Sequence, residues 1–225
     1  MDQTYYKITN KEECHHGYQY VDGLNMLDKM FEREGSCVEG GLYFTTIEHI
    51  FKFLDYGCYL REITLPKDCL WVKDPAGDKF RADKIILGKR YNLSDPLTFQ
   101  LLVKKGADIH AGNNCALKWA SSNGHLDLVK YLVDNNANIH ANSSYILTQT
   151  CRNGHLEVVQ YLVEKGIDIN AHDNYALAWA SGNGHLKIVQ YLVNKGANIH
   201  ANDNCALEWA SENFHLDVVK YLRSY

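Results

Sequence analysis

The sequence predicts an α+β N-terminal domain followed by an all-α solenoid of stacked helix pairs. Three observations carry that expectation. NGHL-DLVKYLV at Asn123 returns as NGHL-EVVQYLV at Asn153, NGHL-KIVQYLV at Asn183 and NFHL-DVVKYL at Asn213, each copy 30 residues after the last. A fixed period of about 20–50 residues marks one supersecondary unit piled on copies of itself, none able to bury its apolar face alone. Residues 1–92 carry no such repeat and show short aromatic and β-branched runs instead. The apolar columns also hold register: Ile109, Ile139, Ile169 and Ile199 align, as do Leu102, Leu132, Leu162, Leu192 and Leu222.

In chain order, the expected strands are Tyr5–Ile8, Tyr18–Val21, Leu42–Phe44, Tyr59–Leu65, Leu70–Lys73 and Lys79–Leu87. Asp74-Pro75-Ala76-Gly77-Asp78 reads as the turn joining the last two. Thr45-x-x-Glu48 gives a capping box, Ile47, Ile50, Phe51 and Leu54 give one apolar helix face, and Gly57 gives a glycine stop. Glycines at 17, 23, 35, 40 and 41 make the first half irregular. Residues 1–92 are one domain. The segment I-L-G-K-R-Y-N-L-S-D is too short and apolar for a flexible linker, so the domain is expected to cover the open end of the first repeat.

The repeats fill 93–225: a half repeat at about 94–113, then copies at 114–143, 144–173, 174–203 and 204–225. Asp95 is the expected N-cap of the half repeat, with Pro96 in its first helical turn. In the first full copy, one helix spans about Cys115–Asn123 and ends at Gly124. The other spans about Leu126–Asn135, with Leu126, Val129, Leu132 and Val133 on one face. Gly106, Gly166 and Gly196 end the second helices, and Asn136 substitutes because asparagine also tolerates a left-handed backbone.

The pattern G-H-L-x-x-V-x-Y-L-V-x-x-G-A-x-I-x-A strongly resembles the ankyrin repeat. Its 30-residue period is similar to that of the ankyrin proteins of giant DNA viruses of the mimivirus kind. The resemblance covers about 94–225 and implies helix pairs stacked into a curved slab with a protein-binding role. The segments Cys115–Ala120, Tyr145–Thr150, Tyr175–Ala180 and Cys205–Ala210 depart from the family's T-P-L-H-x-A signature. Three residues are missing from the connecting loop, so the β-hairpin fingers of longer ankyrin repeats should be short or absent.

Composition narrows the function. Net charge is −4, divided as −2 for residues 1–93 and −2 for the rest, with no basic stripe, which argues against nucleic acid as a partner. No apolar run reaches the roughly 20 residues that span a bilayer. The polar, acidic start MDQTYYKITNKEE reads as neither a secretory signal nor a transit peptide. Seven cysteines without a C-x-x-C pair read as reduced thiols in a cytoplasmic compartment, the host cytosol for a viral protein.

Trp119, Trp179 and Trp209 form a column interrupted by Gln149; a ligand-stacking ladder is conceivable, but inter-repeat core is the expectation. His125, His155, His185 and His215 look like a metal ladder. Zinc needs nitrogens at about 2.0–2.1 Å, whereas packed helices lie about 8–10 Å apart. Structural histidines beside a turn are therefore expected, and neither a metal nor a cofactor. Phe214 stands where earlier copies have glycine, so that turn is either remodelled or capped by the ring folding over the end of the stack. In the N-terminal domain, Cys14, His15, His16 and Cys37 form a conceivable zinc set, and Glu62 with Tyr59 and Arg61 a conceivable cleft. No phosphate loop or nucleophile motif accompanies them.

The candidate partner-binding residues lie where first-helix columns vary: Lys118, Thr148, Ala178 and Glu208, and Ser122, Arg152, Gly182 and Glu212. In ankyrin-like stacking these line the concave face. The expected function is non-catalytic binding of a cytosolic, conceivably host, protein, with no membrane contact. A homodimer through the C-terminal end is a further expectation. The alternative is that residues 1–92 form a small enzyme or ligand-binding domain that the repeats target.

Overall fold

The strand-rich reading of the N-terminal residues holds. In the computed structural model, which describes residues 4–36 and 38–225, the strands are β1 (Tyr5–Thr9), β2 (Cys14–His15), β3 (Tyr18–Gln19), β4 (Gly23–Met26) and β5 (Leu42–Phe44). They continue as β6 (Tyr59–Thr64), β7 (Trp71–Lys73), β8 (Phe80–Ala82) and β9 (Lys84–Asn92). One antiparallel sheet has the order β1-β6-β9-β4, a second β5-β8-β7, and β2-β3 is a separate ribbon. Tyr20, Leu42, Phe44, Ile63, Ala82, Ile85 and Leu87 form a buried apolar cluster drawn from both larger sheets.

Four local expectations change. The run Lys79–Leu87 is two strands, because the chain changes sheets at Asp83: its amide donates to Leu70 O (3.0 Å), and its carboxylate accepts from Leu70 N (2.8 Å). The strand expected at Tyr18–Val21 stops at Gln19, while β2 and β4 were not expected. The capping box does not form. Thr45 is bridged to Tyr6 by two backbone bonds of 2.8 Å, and its hydroxyl donates to Asp78 O, so Thr46 becomes the N-cap.

The helix Ile47–Tyr56 is 3₁₀, although it buries Ile50, Phe51 and Leu54 as the pattern requires. Both flanks are pinned to β1, through Thr45–Tyr6 and through Cys58 N to Thr9 O (3.0 Å). The longer 3₁₀ rise of about 2.0 Å per residue carries the segment across that span. Gly57 is extended at φ 166°, not left-handed; it is needed because a Cβ there would lie 2.0 Å from Thr9 O.

The repeat region is helical: α1 (Pro96–Lys104), α2 (Ala111–Ser122), α3 (Leu126–Asp134), α4 (Ser143–Arg152), α5 (Leu156–Glu164), α6 (Ala171–Gly182), α7 (Leu186–Asn194), α8 (Ala201–Glu212) and α9 (Leu216–Leu222). Asp95 caps α1 by accepting from Leu97 N at 3.0 Å, with Pro96 in the first turn. The second-helix stops are left-handed as expected, with φ of 102° at Gly106, 67° at Asn136, 89° at Gly166 and 93° at Gly196. Leu102, Leu132, Leu162, Leu192 and Leu222 are all buried.

No strand occurs in the described part of this region; three left-handed residues replace the hairpin finger before the first helix. They are Gly112-Asn113-Asn114, His172-Asp173-Asn174 and Asn202-Asp203-Asn204. Glycine, asparagine, aspartate and histidine adopt that backbone more readily than other residues. Where the sequence offers Asn142-Ser143-Ser144, only Asn142 is left-handed, and α4 begins at Ser143. Contacts divide the chain into two compact units, Met1–Cys115 and Ala116–Tyr225.

Candidate functional site

In the second unit, turn, glycine and histidine form one device. The first helix of each copy closes with His N bonded back to the helix, as His155 N to Thr150 O (3.2 Å) and His185 N to Ala180 O (2.9 Å). In the last three copies the imidazole then reaches the preceding copy. His155 Nε2 donates to Ser122 O (3.0 Å), His185 Nε2 to Arg152 O (2.9 Å) and His215 Nε2 to Gly182 O (3.1 Å). A carbonyl only accepts, so the proton sits on Nε2 in each ring. These contacts give the histidine column its work as inter-repeat staples.

The ring also explains the glycine before each histidine. A Cβ on Gly124 would lie 2.4 Å from the His155 ring, one on Gly154 2.7 Å from His185, and one on Gly184 2.5 Å from His215. Glycine therefore serves the left-handed turn and the neighbouring ring together. Phe214 occupies the equivalent place with φ 61° and 83 % exposure. Its turn is not remodelled: His215 N still bonds Ala210 O at 2.9 Å, and the ring points to solvent rather than over the stack.

The tryptophan column is only partly core. Trp119 is buried, but Trp179 and Trp209 are half-buried and meet edge-to-face at 5.0 Å. The Arg152 guanidinium lies 4.6 Å above the Trp179 ring, and Tyr175 approaches Trp209 at 6.3 Å. Gly182 makes this packing possible, since a Cβ there would already be 3.2 Å from the Trp209 side chain.

The structure distributes the expected binding residues unevenly. Arg152, Glu208 and Glu212 are exposed. Lys118 is half-buried with its ammonium 6.0 Å from the Tyr145 ring, and Ser122 and Thr148 are half-buried. Gly182 offers only backbone, already bonded to His215, and Ala178 is buried. Burial of the Cys205 thiol, then the nearby Glu208 and Glu212 carboxylates, push its pKa up. The first-helix face is thus basic at Lys118 and Arg152, aromatic at Trp179 and Trp209, and acidic at Glu208 and Glu212.

The N-terminal candidates resolve differently. Cys37, one member of the conceivable zinc set, lies outside the described residues. Glu62 and Arg61 diverge, as neighbours on a strand must. Arg61, 2 % exposed, reaches Glu13 at 3.4 Å and Asp22, while Glu62 accepts from Lys105 Nζ (2.8 Å) and Tyr91 OH (3.0 Å). Burial pushes the Glu62 carboxyl up, but the Lys105 and Tyr91 hydrogen bonds outweigh it and hold it below the usual range. Glu62 is therefore tied into an ion pair. Sequence reasoning missed Lys7, whose side chain is buried in the same domain. The one local signal was a lysine inside the aromatic strand YYKIT.

Two-helix units joined by short loops and stapled in register define a helical repeat array. Ankyrin repeats, as three copies, match residues 91–173 and 147–225, and the chain belongs to the ankyrin repeat family. Similar proteins include ankyrin repeat protein R868 of Acanthamoeba polyphaga mimivirus, 48 % identical over 134 residues, or 57 % of this chain and 66 % of the relative. Ankyrin repeat protein R229 of the same virus is 43 % identical over 143 residues, covering 57 % of this chain and 47 % of the relative. The chain thus spans about half to two thirds of those two relatives. Ankyrin repeats as a class are protein–protein interaction modules. No helix among the described residues is long and apolar enough to cross a membrane.

Proposed function

We propose that residues 93–225 bind a protein partner without catalysing a reaction, and that the first-helix face of the repeats is the contact surface. The observation that carries this is the Arg152–Trp179–Trp209 ladder, left half-open to solvent and followed by exposed Glu208 and Glu212. Tryptophan and arginine are the residues that most often dominate binding energy at protein interfaces. Lys118, Ser122 and Thr148 extend the face at its basic end, and Gly182 shapes it by admitting Trp209. A basic-to-acidic gradient on a fixed scaffold selects a partner of the reverse polarity. Given the viral relatives, we place that partner in the host cytosol.

The test is affinity purification of the full chain from host-cell extract, read by mass spectrometry, beside the Arg152→Glu/Glu212→Lys double variant. Loss of the captured partner by roughly tenfold in the variant is the expected result, equivalent to about 1.4 kcal/mol. Unchanged capture overturns the assignment of the face. Exposed Phe214, Leu216 and Tyr225 favour a homodimer through the C-terminal end as a second reading. A concentration-independent monomer in analytical ultracentrifugation removes it.

A further inference from the structure

We infer that the N-terminal domain binds a small organic anion, a carboxylate or phosphate carried on a flat apolar group, in a recess beside Lys7. The recess opens to solvent and is lined from β1, from the His15–His16 turn, from β5 and from the 3₁₀ helix. Among the described residues, Lys7, Lys79, His15 and His16 line it, and no aspartate or glutamate does. Phe44, Phe53 and Tyr56 supply apolar wall. His15 is packed at 4.1 Å against His16 and edge-on at 5.5 Å against Tyr56, so that side of the wall is already formed.

Lys7 decides the sign of the ligand. Its side chain is 5 % exposed, its Nζ donates to Tyr43 O at 3.0 Å, and it sits 4.5 Å from the centre of the Tyr20 ring. Among the described residues no carboxylate stands within ion-pair distance of it. A carbonyl and a ring face compensate a buried ammonium only in part, and buried charges are ordinarily paired. An anion entering the recess supplies the missing counter-charge. His15 adds no charge of its own: burial, then Lys7 and His16, hold its pKa down at about 4, so it meets a ligand as a neutral ring.

A neighbouring recess shares His15, His16 and Tyr43 but also includes Asp28 and Glu39, with Glu39 paired to Lys29 at 3.1 Å. Its mixed charge gives it no such preference. The walls of the first recess call for more than a bare ion, since the lining is more apolar than polar and includes Phe44, Phe53 and Tyr56.

The full chain is titrated calorimetrically with phenyl phosphate, benzoate, inorganic phosphate and phenol. Saturable binding of phenyl phosphate or benzoate, roughly tenfold or more tighter than inorganic phosphate and absent for phenol, is the expected result. Lys7→Met should weaken that binding by about tenfold or more. Should Lys7→Met fail to fold, Tyr56→Ala decides, because Tyr56 is 51 % exposed and its loss should weaken the aryl anion while leaving the melting temperature unchanged. The proposal is overturned if neither aryl anion binds at about 10 mM, if inorganic phosphate binds as well as phenyl phosphate, or if a folded Lys7→Met or Tyr56→Ala variant binds like the parent. Partner capture by the repeats is read in a separate assay, so failure here leaves that assignment standing.

Discussion

The N-terminal unit and the repeats solve the same problem, closing an interior against water, with opposite materials. The first unit buries charge. Arg81 is 0 % exposed and donates to Glu32 O, Glu34 O and Gly35 O at 2.8 Å each, with Asp74 3.7 Å away. Arg61 is buried beside Glu13, and Lys7 is buried with no carboxylate in ion-pair distance among the described residues. The repeats bury leucine, isoleucine and valine, and staple neighbours with imidazole-to-carbonyl bonds. A guanidinium can gather several carbonyls of an irregular loop at one point, which no aliphatic side chain does. An irregular fold therefore spends buried charge where a periodic fold repeats one apolar seam.

The sharpest break of that contrast is Arg81→Met. It strands the carbonyls of Glu32, Glu34 and Gly35 and removes the guanidinium beside the Asp74 carboxylate, and should cost the N-terminal unit about 3–5 kcal/mol. Chemical denaturation followed by hydrogen exchange should find the loss there and not in residues 126–222. Equal loss in both units would mean that they unfold as one.

Lys7 gives the second test through pH. Burial lowers its pKa from 10.5 to about 7. Unfolded, the lysine keeps its proton to near 10.5, so between these values the unfolded chain binds more protons and stability must rise with pH. Below pH 7 both states are charged and the penalty is fully present. The groups facing Lys7 do not reverse the trend: His15 is already neutral in this window, and burial, then Tyr18 and Cys14, push Tyr20 up. From pH 7 to 9 the gain should be about 2 kcal/mol, read from urea midpoints at each pH. In Lys7→Met the slope should vanish.

A matched pair of glycines probes the repeats. Gly154→Ala and Gly166→Ala both place alanine at positive φ, 81° and 89°, but only the first also meets a ring, that of His185. The left-handed backbone alone should cost about 1 kcal/mol, so Gly166→Ala reports that term, and Gly154→Ala should cost about 2–3 kcal/mol. Equal losses would show that the imidazole yields freely. The smallest effect is expected at Phe214→Gly, which should stabilise the last copy by about 0.5–1 kcal/mol by removing a side chain from positive φ without uncovering any core.

The same difference governs what could be read from residues alone. In the repeats each 30-residue copy is an independent witness, so helix limits, glycine stops and the Asp95 cap were legible to within a residue or two. The histidine staples were not, because nothing local says that Nε2 of one copy reaches a carbonyl 33 residues earlier. Trp179 was expected inside and is half-open, since the column position alone does not reveal that Gly182 lets Trp209 turn edge-on. In the N-terminal unit the strand runs were visible, but the sheet change at Asp83 and the 3₁₀ winding depend on pairing partners distant in sequence. The Lys7 recess is further from view, because its lining comes from segments between residues 6 and 79.

The staple also has a direction. Each module presents a vacant glycine on one side and an imidazole that fills its neighbour's vacancy from the other, so modules copied in tandem join head to tail without adjustment. Duplication inside the array preserves every joint. Phe214 fills its own vacancy, and a module grafted behind it cannot dock in the same register until that ring is removed. Adding a module behind α9 in the laboratory therefore begins with replacing one phenylalanine.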